Sequence, residues 1–268
     1  MPRRTLKLTI AYDGTAYAGW QRQANGPSIQ AVLEDEIAAI VGGRHPLIAA
    51  GRTDAGVHAA GQVASVTIDH DITCDDLLRA LNARIKDGAI RVRAVEEMFD
   101  GFDARTHAKS KSYRYAIWTG SPPSPFLRHV VWHVVHRLDV DRMAAAARVL
   151  VGEHDFVAFQ GRGRAVKTTV RRILAADVIE MNIHTDQPVA LSPLESGAPY
   201  QEGRLIRVEI TGTGFLRHMV RTITGTLVDI GRGQMAVEEM EEIIRSRERR
   251  RTGQTAPPQG LTLWKVQY

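Results

Sequence analysis

Gly51-Arg52-Thr53-Asp54-Ala55-Gly56-Val57-His58 is a stretch with a glycine near each end, between two strand-like runs, residues 46–50 and 62–68. The glycines are typical of a tight turn. A surface turn needs polar residues, but it has little use for an Arg, an Asp and a His at such close spacing. We therefore predict that two strands present a functional site at this turn.

The composition is that of a globular protein with a basic balance. The 268-residue chain is 44% apolar, carries a formal charge of +5 and has a pI near 9.5. Only six of its 35 Lys and Arg residues are lysine. Because the planar guanidinium of arginine pairs with phosphate and stacks on bases, this excess favours a nucleic-acid partner. Codon bias in a GC-rich genome is the alternative explanation.

Cysteine usage and hydropathy indicate a cytoplasmic protein. Cys74 is the only cysteine, which excludes an intrachain disulfide framework and a thiolate zinc cluster. No apolar run approaches the ~20 residues that span a bilayer. The N-terminus, Met1-Pro2-Arg3-Arg4, runs into a strand pattern and not into a signal-peptide core.

Apolar periodicity predicts strands and helices along the whole chain. Ser28 is placed to cap the first helix. The predicted strands cover residues 6–10, 46–50, 62–68, 90–95, 113–118, 130–135, 173–183, 204–211 and 261–268, and the predicted helices cover 29–40, 75–81, 143–151, 219–230 and 236–247. Residues 6–40 and 205–230 share the order strand, glycine-bearing turn, helix. This echo predicts two similar α/β halves with a cleft between them.

Motifs for metal, nucleotide or nucleophilic chemistry are weak or missing. Asp54 and His58 have the spacing of a metal pair on a helix, but Gly56 between them argues against a helix, and no third ligand has a sensible spacing. Gly212-x-Gly214 favours a tight turn, because Arg217 stands where a phosphate loop has its third glycine. No Ser or Cys elbow and no Walker motif occurs. Carboxylate, arginine and aromatic side chains are left to carry the chemistry.

A basic run, residues 161–172, contains five cationic side chains and no acid. They are Arg162, Arg164, Lys167, Arg171 and Arg172. Such a run is often a solvated loop, and a surface that faces phosphate is the alternative. We favour the second interpretation because the like charges cluster so closely.

Several longer motifs follow one another in a recognisable order. They are Tyr12-Asp13-Gly14, Gly19-Trp20-Gln21-Arg22-Gln23, the stretch 51–58 followed by Gly61-Gln62-Val63, Phe102-x-Ala104-Arg105, Tyr113-Arg114-Tyr115, Gly152-Glu153-His154-Asp155-Phe156 and Phe215-Leu216-Arg217-His218-Met219-Val220-Arg221. In this order and over nearly its whole length, the chain resembles the tRNA pseudouridine synthase A family.

The resemblance implies an α+β pseudouridine synthase fold. Two similar α/β halves, residues 1–106 with the catalytic Asp loop and residues 107–268, would carry mixed, mainly antiparallel sheets joined around a central basic cleft and form one catalytic unit. The implied activity is isomerisation of uridine at positions 38, 39 and/or 40 in the anticodon stem-loop of tRNA. The family works without a metal or other cofactor and as a homodimer.

The resemblance also implies roles for individual residues. Asp54 would be the nucleophile, and Arg52 would fill the space left by the flipped base. Tyr113 would stack on the uracil, and Arg221 would pair with the catalytic carboxylate. The expected tRNA contacts are Phe102, Asp103, Ala104, Arg105 and Thr106, together with Arg164 and Lys167 in the basic run.

Without the resemblance each of these residues has a plainer interpretation. Asp54 could cap its turn, Arg52 and Arg221 could face solvent, and Tyr113 could be core. A non-catalytic RNA-binding protein and a metal-dependent hydrolase that uses Asp54 and His58 are the rival functions.

Some features depart from the family pattern. Thr106 stands where the family usually has an aromatic residue, and the connection 182–203 is long for the family hairpin. The arginine cluster 245–251 matches no family role.

Overall fold

The computed structural model describes residues 3–163, 166–181 and 203–268. By its internal contacts the chain divides into two compact units. Unit 1 comprises Met1–Lys111 and Thr262–Tyr268, and unit 2 comprises Ser112–Leu261. Unit 1 thus extends beyond residue 106, where the sequence places the boundary, and takes up the C-terminal strand.

Ten strands and five helices lie in the described residues. They are β1 (Arg4–Tyr12), α1 (Ile29–Val41), β2 (Ile48–Ala49), β3 (His58–Ile68), α2 (Cys74–Arg84), β4 (Ile90–Met98), β5 (Ser110–Thr119), β6 (Trp132–Val134), α3 (Val140–Arg148), β7 (Gly152–Asp155), β8 (Val170–Met181), β9 (Arg204–Gly212), α4 (Met219–Gly231), α5 (Glu239–Ser246) and β10 (Leu261–Gln267).

Within unit 1 the strand order is β4-β1-β3-β10. β1 is antiparallel to β3 and β4, β10 is parallel to β3, and the short β2 is antiparallel to β3. Leu6, Leu8 and Ile10 are fully buried, whereas Lys7 and Thr9 are partly exposed. The alternation predicted for β1 is confirmed, because a strand with one covered face buries every second side chain.

The helices of unit 1 cover its sheet, since α2 packs on β4 and α1 packs on α2. α1 begins as predicted, with the Ser28 hydroxyl accepting the N–H of Ala31 at 3.3 Å. α2 begins at Cys74, and its cap is Thr73, whose hydroxyl accepts the N–H of Asp76 at 3.1 Å. The prediction placed this start at the following acidic pair. Those acids lie in the first turn, where they complement the helix dipole.

Within unit 2 the strand order is β5-β9-β8-β7, and β6 runs parallel to β5. β8 is antiparallel to both β7 and β9. α3 packs on β8 and on α4. α4 ends at Gly231, the residue predicted to close it. The order β9 then α4 repeats the order β1 then α1.

Two elements of unit 2 differ from the prediction, and one predicted boundary cannot be compared. β7 was not predicted, because four residues with mostly polar side chains give no readable alternation. α5 is shorter than predicted and ends where Arg247 adopts a left-handed φ of 61°. Residues 182–202 lie outside the described part of the chain, so the predicted end of one strand and the long connection 182–203 fall there.

Strand pairing is mixed and mainly antiparallel in each unit, and helices pack on the strands, so the predicted α+β class is confirmed. Among the described residues, no helix is long and apolar enough to cross a membrane.

Candidate active site

Residues 51–57 form the loop that leads from β2 into β3, called the Asp54 loop here. The carbonyl of Asp54 accepts the N–H of Val57 at 3.2 Å, and Gly56 closes the turn with a φ of 74°. Thr53 is buried, Asp54 is half-buried and Arg52 is exposed. The loop therefore anchors itself through Thr53 and leaves the side chain of Arg52 in solvent.

The segment 12–20 braces the Asp54 loop along its backbone. The N–H of Trp20 donates to the carbonyl of Thr53 at 3.1 Å, and the N–H of Gly56 donates to the carbonyl of Tyr17 at 3.4 Å. The hydroxyls of Tyr12 and Thr53 are 2.7 Å apart and share a buried hydrogen bond. Both sides of Asp54 are thus fixed by residues about forty positions earlier in the chain.

Two glycines make this close approach possible. A Cβ on Gly14 would lie 2.1 Å from the carbonyl oxygen of Val57, and one on Gly19 would lie 2.7 Å from the carbonyl oxygen of Thr53. Gly19 also has a φ of +102°, which side chains rarely adopt. These contacts explain the glycines in the first two motifs of the sequence. The sequence motifs indicated the family resemblance, but they did not show that these glycines contact the Asp54 loop.

A buried polar pair holds the start of the loop. Nε2 of Gln62, which is fully buried, donates to the carbonyl of Gly51 at 2.8 Å and lies 3.3 Å from the hydroxyl of Tyr12. Burial raises the pKa of Tyr12 to about 12, although hydrogen bonds from Thr53 and Gln62 work in the opposite direction. The Tyr12 hydroxyl therefore keeps its proton at neutral pH, and it serves as a structural donor or acceptor.

His58 closes the far end of the loop. It is buried, and its Nδ1 accepts the N–H of Gly14 at 3.1 Å. Nδ1 also lies 3.1 Å from Oδ1 of Asp13, so neighbours within the protein already occupy it, which weakens the metal-pair interpretation of Asp54 and His58. In the described part of the chain, no group of three His, Cys, Asp or Glu side chains could hold a metal ion.

The segment 102–106 of unit 1 combines buried and exposed residues. Phe102 is buried and stacks on His107, with ring centroids 5.5 Å apart. Ala104 is fully buried, and its carbonyl accepts the hydroxyl of Tyr268 at 2.8 Å. Their side chains shape the segment from inside.

Asp103 holds the turn that exposes the next two residues. Its Oδ1 accepts the N–H groups of Arg105 and Thr106, each at 2.8 Å. Burial opposes ionisation, but these backbone hydrogen bonds outweigh it and lower the pKa of Asp103 below its usual value. Arg105 and Thr106 are exposed, so they are the two members of the segment whose side chains can reach a partner.

Unit 2 contains the other predicted substrate residues. Tyr113 lies on β5, is buried and meets the ring of Phe215 edge-on, with centroids 4.9 Å apart. Arg221 lies in the first turn of α4 and is half-buried, and its Nε donates to the carbonyl of Ala256 at 2.7 Å. Arg221 is therefore held by the protein and does not simply extend into solvent. Ala256 had no signal in the sequence, because an alanine carbonyl leaves no pattern.

The basic run lies beside the turn that leads into α4. The N–H of Gly161 donates to the carbonyl of Arg217, and Nη1 of Arg217 donates to the carbonyl of Arg162, both at 2.8 Å. Lys167 is exposed. Arg164 is outside the described residues, so its contact with tRNA stays a prediction.

The expected site residues therefore fall in separate groups. In unit 1 the structure brings Arg52 and Asp54 together on one braced loop and gives the segment 102–106 its own turn. In unit 2 it places Tyr113 on a strand and Arg221 on a helix.

The mixed, mainly antiparallel strand pairing with helices packed on it is consistent with the pseudouridine synthase fold. A family model described as tRNA pseudouridine synthase matches residues 8–105 and 146–268. The chain belongs to the tRNA pseudouridine synthase family, a family of isomerases.

Similar proteins match the chain over its full length. A protein from Acetivibrio thermocellus is 42% identical over 265 residues, which cover 99% of this chain and 100% of the relative. One from Citrifermentans bemidjiense is 41% identical over 266 residues, which cover 99% and 98%. One from Myxococcus xanthus is 40% identical over 268 residues, which cover 100% and 92%. Each of the three is named tRNA pseudouridine synthase A.

Proposed function

We propose that this protein converts uridine to pseudouridine at positions 38, 39 and/or 40 in the anticodon stem-loop of tRNA, with Asp54 as the nucleophile. The observation that carries the proposal is the Asp54 loop. Hydrogen bonds and glycine contacts hold its backbone on both sides, while Asp54 itself is only half-buried. A nucleophile needs this combination of fixed position and access.

The reaction balances without an oxidant or a reductant. The C1′–N1 bond of the uridine breaks, a C1′–C5 bond forms, the proton on C5 leaves and N1 gains a proton. The Asp54 carboxylate forms a covalent adduct with the sugar or the base and is released when the new bond has formed. No metal or other cofactor enters this scheme.

The target base has to leave its stack before Asp54 can reach it, and extrusion costs a few kcal/mol. Arg52 is exposed two positions from Asp54, and its planar guanidinium can fill the vacated space. Tyr113 would stack on the uracil, and its edge-on contact with Phe215 holds the ring in one orientation. Arg221 would bind the substrate with a guanidinium whose Nε is already held by Ala256.

The tRNA contacts follow from charge and exposure. Arg105 and Thr106 would touch the RNA directly, whereas Phe102, Asp103 and Ala104 would act by shaping the segment that presents them. Lys167 and Arg164 would bind phosphates of the backbone. On the strength of the resemblance we also propose that the protein acts as a homodimer in the cytoplasm.

Release of tritium from a tRNA transcript labelled at C5 of uridine tests the reaction. The wild-type protein should release tritium in the presence of EDTA. Asp54→Ala should abolish release and bind tRNA as before, and the surface control Asp71→Ala should match the wild type. Asp71 suits this purpose because its side chain is 76% exposed.

The rival functions predict other outcomes. Tight tRNA binding without tritium release from the wild type would favour a non-catalytic RNA-binding protein, and activity lost on chelation would favour the hydrolase. Release that persists in Asp54→Ala would refute the nucleophile. Mapping pseudouridine in the treated tRNA tests the positions, and modification only outside 38–40 would contradict that part of the proposal.

A further inference from the structure

The arginine cluster 245–251 has no role in the proposed function, but its members differ in what they bind. Three of them form ion pairs: Arg247 with Asp155 at 3.1 Å, Arg250 with Glu248 at 3.1 Å, and Arg251 with Glu242 at 2.6 Å. Such surface pairs contribute little to stability.

Arg249 differs, because its guanidinium holds a stretch of backbone that follows it in the chain. Nη2 donates to Oγ1 of Thr255 at 2.9 Å, and Nη1 donates to the carbonyl of Gly253 at 3.3 Å and to Oγ1 of Thr252. The planar guanidinium can direct several donors in fixed directions, which an ammonium does not match.

The stretch held by Arg249, residues 252–257, lies directly on α4. The N–H of Gly253 donates to Oγ1 of Thr226 at 3.0 Å, and the hydroxyls of Thr255 and Thr222 are 3.3 Å apart. A Cβ on Gly225 would lie 1.7 Å from the carbonyl oxygen of Gln254. The packing is therefore tight, and a shift of residues 252–257 changes what α4 contacts.

Near its end, the same stretch contacts Arg221 through Ala256. The N–H of Ala256 donates to the carbonyl of Arg221 at 3.1 Å, and Nε of Arg221 donates to the carbonyl of Ala256 at 2.7 Å. Ala256 is fully buried. Its carbonyl is a fixed acceptor, and it orients the guanidinium of Arg221.

We propose that Arg249 is a positioning residue for pseudouridine formation, acting through residues 252–257 on the guanidinium of Arg221. This inference rests on the proposed substrate role of Arg221. Without the Arg249 guanidinium, the carbonyl of Gly253 and the hydroxyls of Thr252 and Thr255 lose a common donor. Residues 252–257 then relax, and the Ala256 carbonyl no longer holds Arg221 in one place.

The first test separates turnover from binding. In Arg249→Ala, kcat for tritium release should fall roughly 10- to 100-fold, because small displacements of catalytic groups have effects of this size. The Kd for tRNA should stay within about twofold, since a displaced Arg221 is one contact among the many that hold the RNA. The kcat of Arg249→Lys should lie between those of the wild type and Arg249→Ala. The charge-matched control Arg250→Ala should behave as the wild type.

A double-mutant cycle shows whether the effect passes through Arg221. Arg221→Lys is the background, because it keeps the positive charge and removes the Nε donor to the Ala256 carbonyl. Arg249→Ala should lower kcat by no more than about twofold in that background, since coupled residues are not additive. An equal fall in both backgrounds, or no fall in the wild-type background, would overturn the proposal.

Two further variants separate a folding defect, and a failed role of Arg221, from a failed positioning role of Arg249. If Arg249→Ala lowers Tm so far that it does not fold, Thr255→Val removes one acceptor and takes its place in the same cycle. Wild-type activity in Arg221→Ala would refute the role of Arg221 itself. Loss of activity in Arg221→Ala with no effect of Arg249→Ala or Thr255→Val would refute only the positioning role.

Discussion

Gly19→Ala should move the Asp54 loop without touching any group that reacts. Gly19 has a φ of +102°, and its Cα faces the carbonyl oxygen of Thr53, where an added Cβ would lie 2.7 Å away. The next residue, Trp20, donates its N–H to that same carbonyl at 3.1 Å. The substitution therefore combines backbone strain with a collision against the residue that precedes Asp54.

The structure sets the size of the effect. The Thr53 carbonyl has to retreat from 2.7 Å to about 3.4 Å, where ordinary contacts begin, so the loop moves by about 0.7 Å. A misplacement of about 1 Å can cost roughly 100-fold in rate, so kcat should fall roughly 10- to 100-fold. The strained backbone and the weakened hydrogen bond should together cost about 2–4 kcal/mol of unfolding free energy.

Gly42→Ala is the matched control. Gly42 also has a positive φ, +75°, but nothing lies within 4 Å of an added Cβ. Only the backbone strain remains there, so we expect a loss of about 1–2 kcal/mol with an unchanged kcat.

Tritium release under multiple-turnover conditions measures kcat, and urea unfolding measures the free energy of unfolding. Equal kcat values for Gly19→Ala and Gly42→Ala would show that contact with Gly19 does not set the position of Asp54. A fall in tRNA affinity with unchanged kcat would assign the motif to binding.

Two further predictions concern charge. Neutralising Arg164 and Lys167 together should flatten the slope of log K against log salt for tRNA binding by roughly one to two units. The charge-matched exposed pair Arg79→Ala and Lys86→Ala should leave that slope unchanged, and equal slopes in all proteins would place the basic run in solvent. For Asp103, whose pKa is lowered in the folded protein, the stabilising hydrogen bonds are complete above the unfolded pKa of about 3.9 and are lost as pH falls through the folded pKa. Urea unfolding should show a smaller loss of stability below about pH 4 in Asp103→Asn than in the wild type, and parallel pH profiles would contradict this.

Local pattern was sufficient for most of the fold. The alternation of Leu6, Leu8 and Ile10 predicted β1, and Ser28 and Gly231 marked a helix start and a helix end that the structure confirms. Periodicity and capping act over a few residues, so they can be read from the chain alone. β7 was missed because its four residues are too few to show a period.

The sequence pointed to the candidate site, but it did not show the contacts that hold the Asp54 loop in place. The stretch 51–58 stood out because of its residue types and their spacing. Its partners Tyr12, Gly19 and Gln62 belonged to quoted motifs to which no contact could be assigned. They meet the loop through buried hydrogen bonds and backbone contacts that leave no period in the chain.

The amino-acid sequence by itself determined the α+β class, the membership in a tRNA pseudouridine synthase family and the choice of Asp54 as the candidate nucleophile. Each depends on residue identity or on order along the chain. Only the tertiary structure decided that Gly14 and Gly19 fit against the Asp54 loop, that Phe102 and Ala104 face inward, and that Arg249 binds the stretch whose Ala256 carbonyl accepts from Arg221. The physical reason is that these contacts use backbone carbonyls and close approaches between segments, and such contacts exist only when the chain is folded.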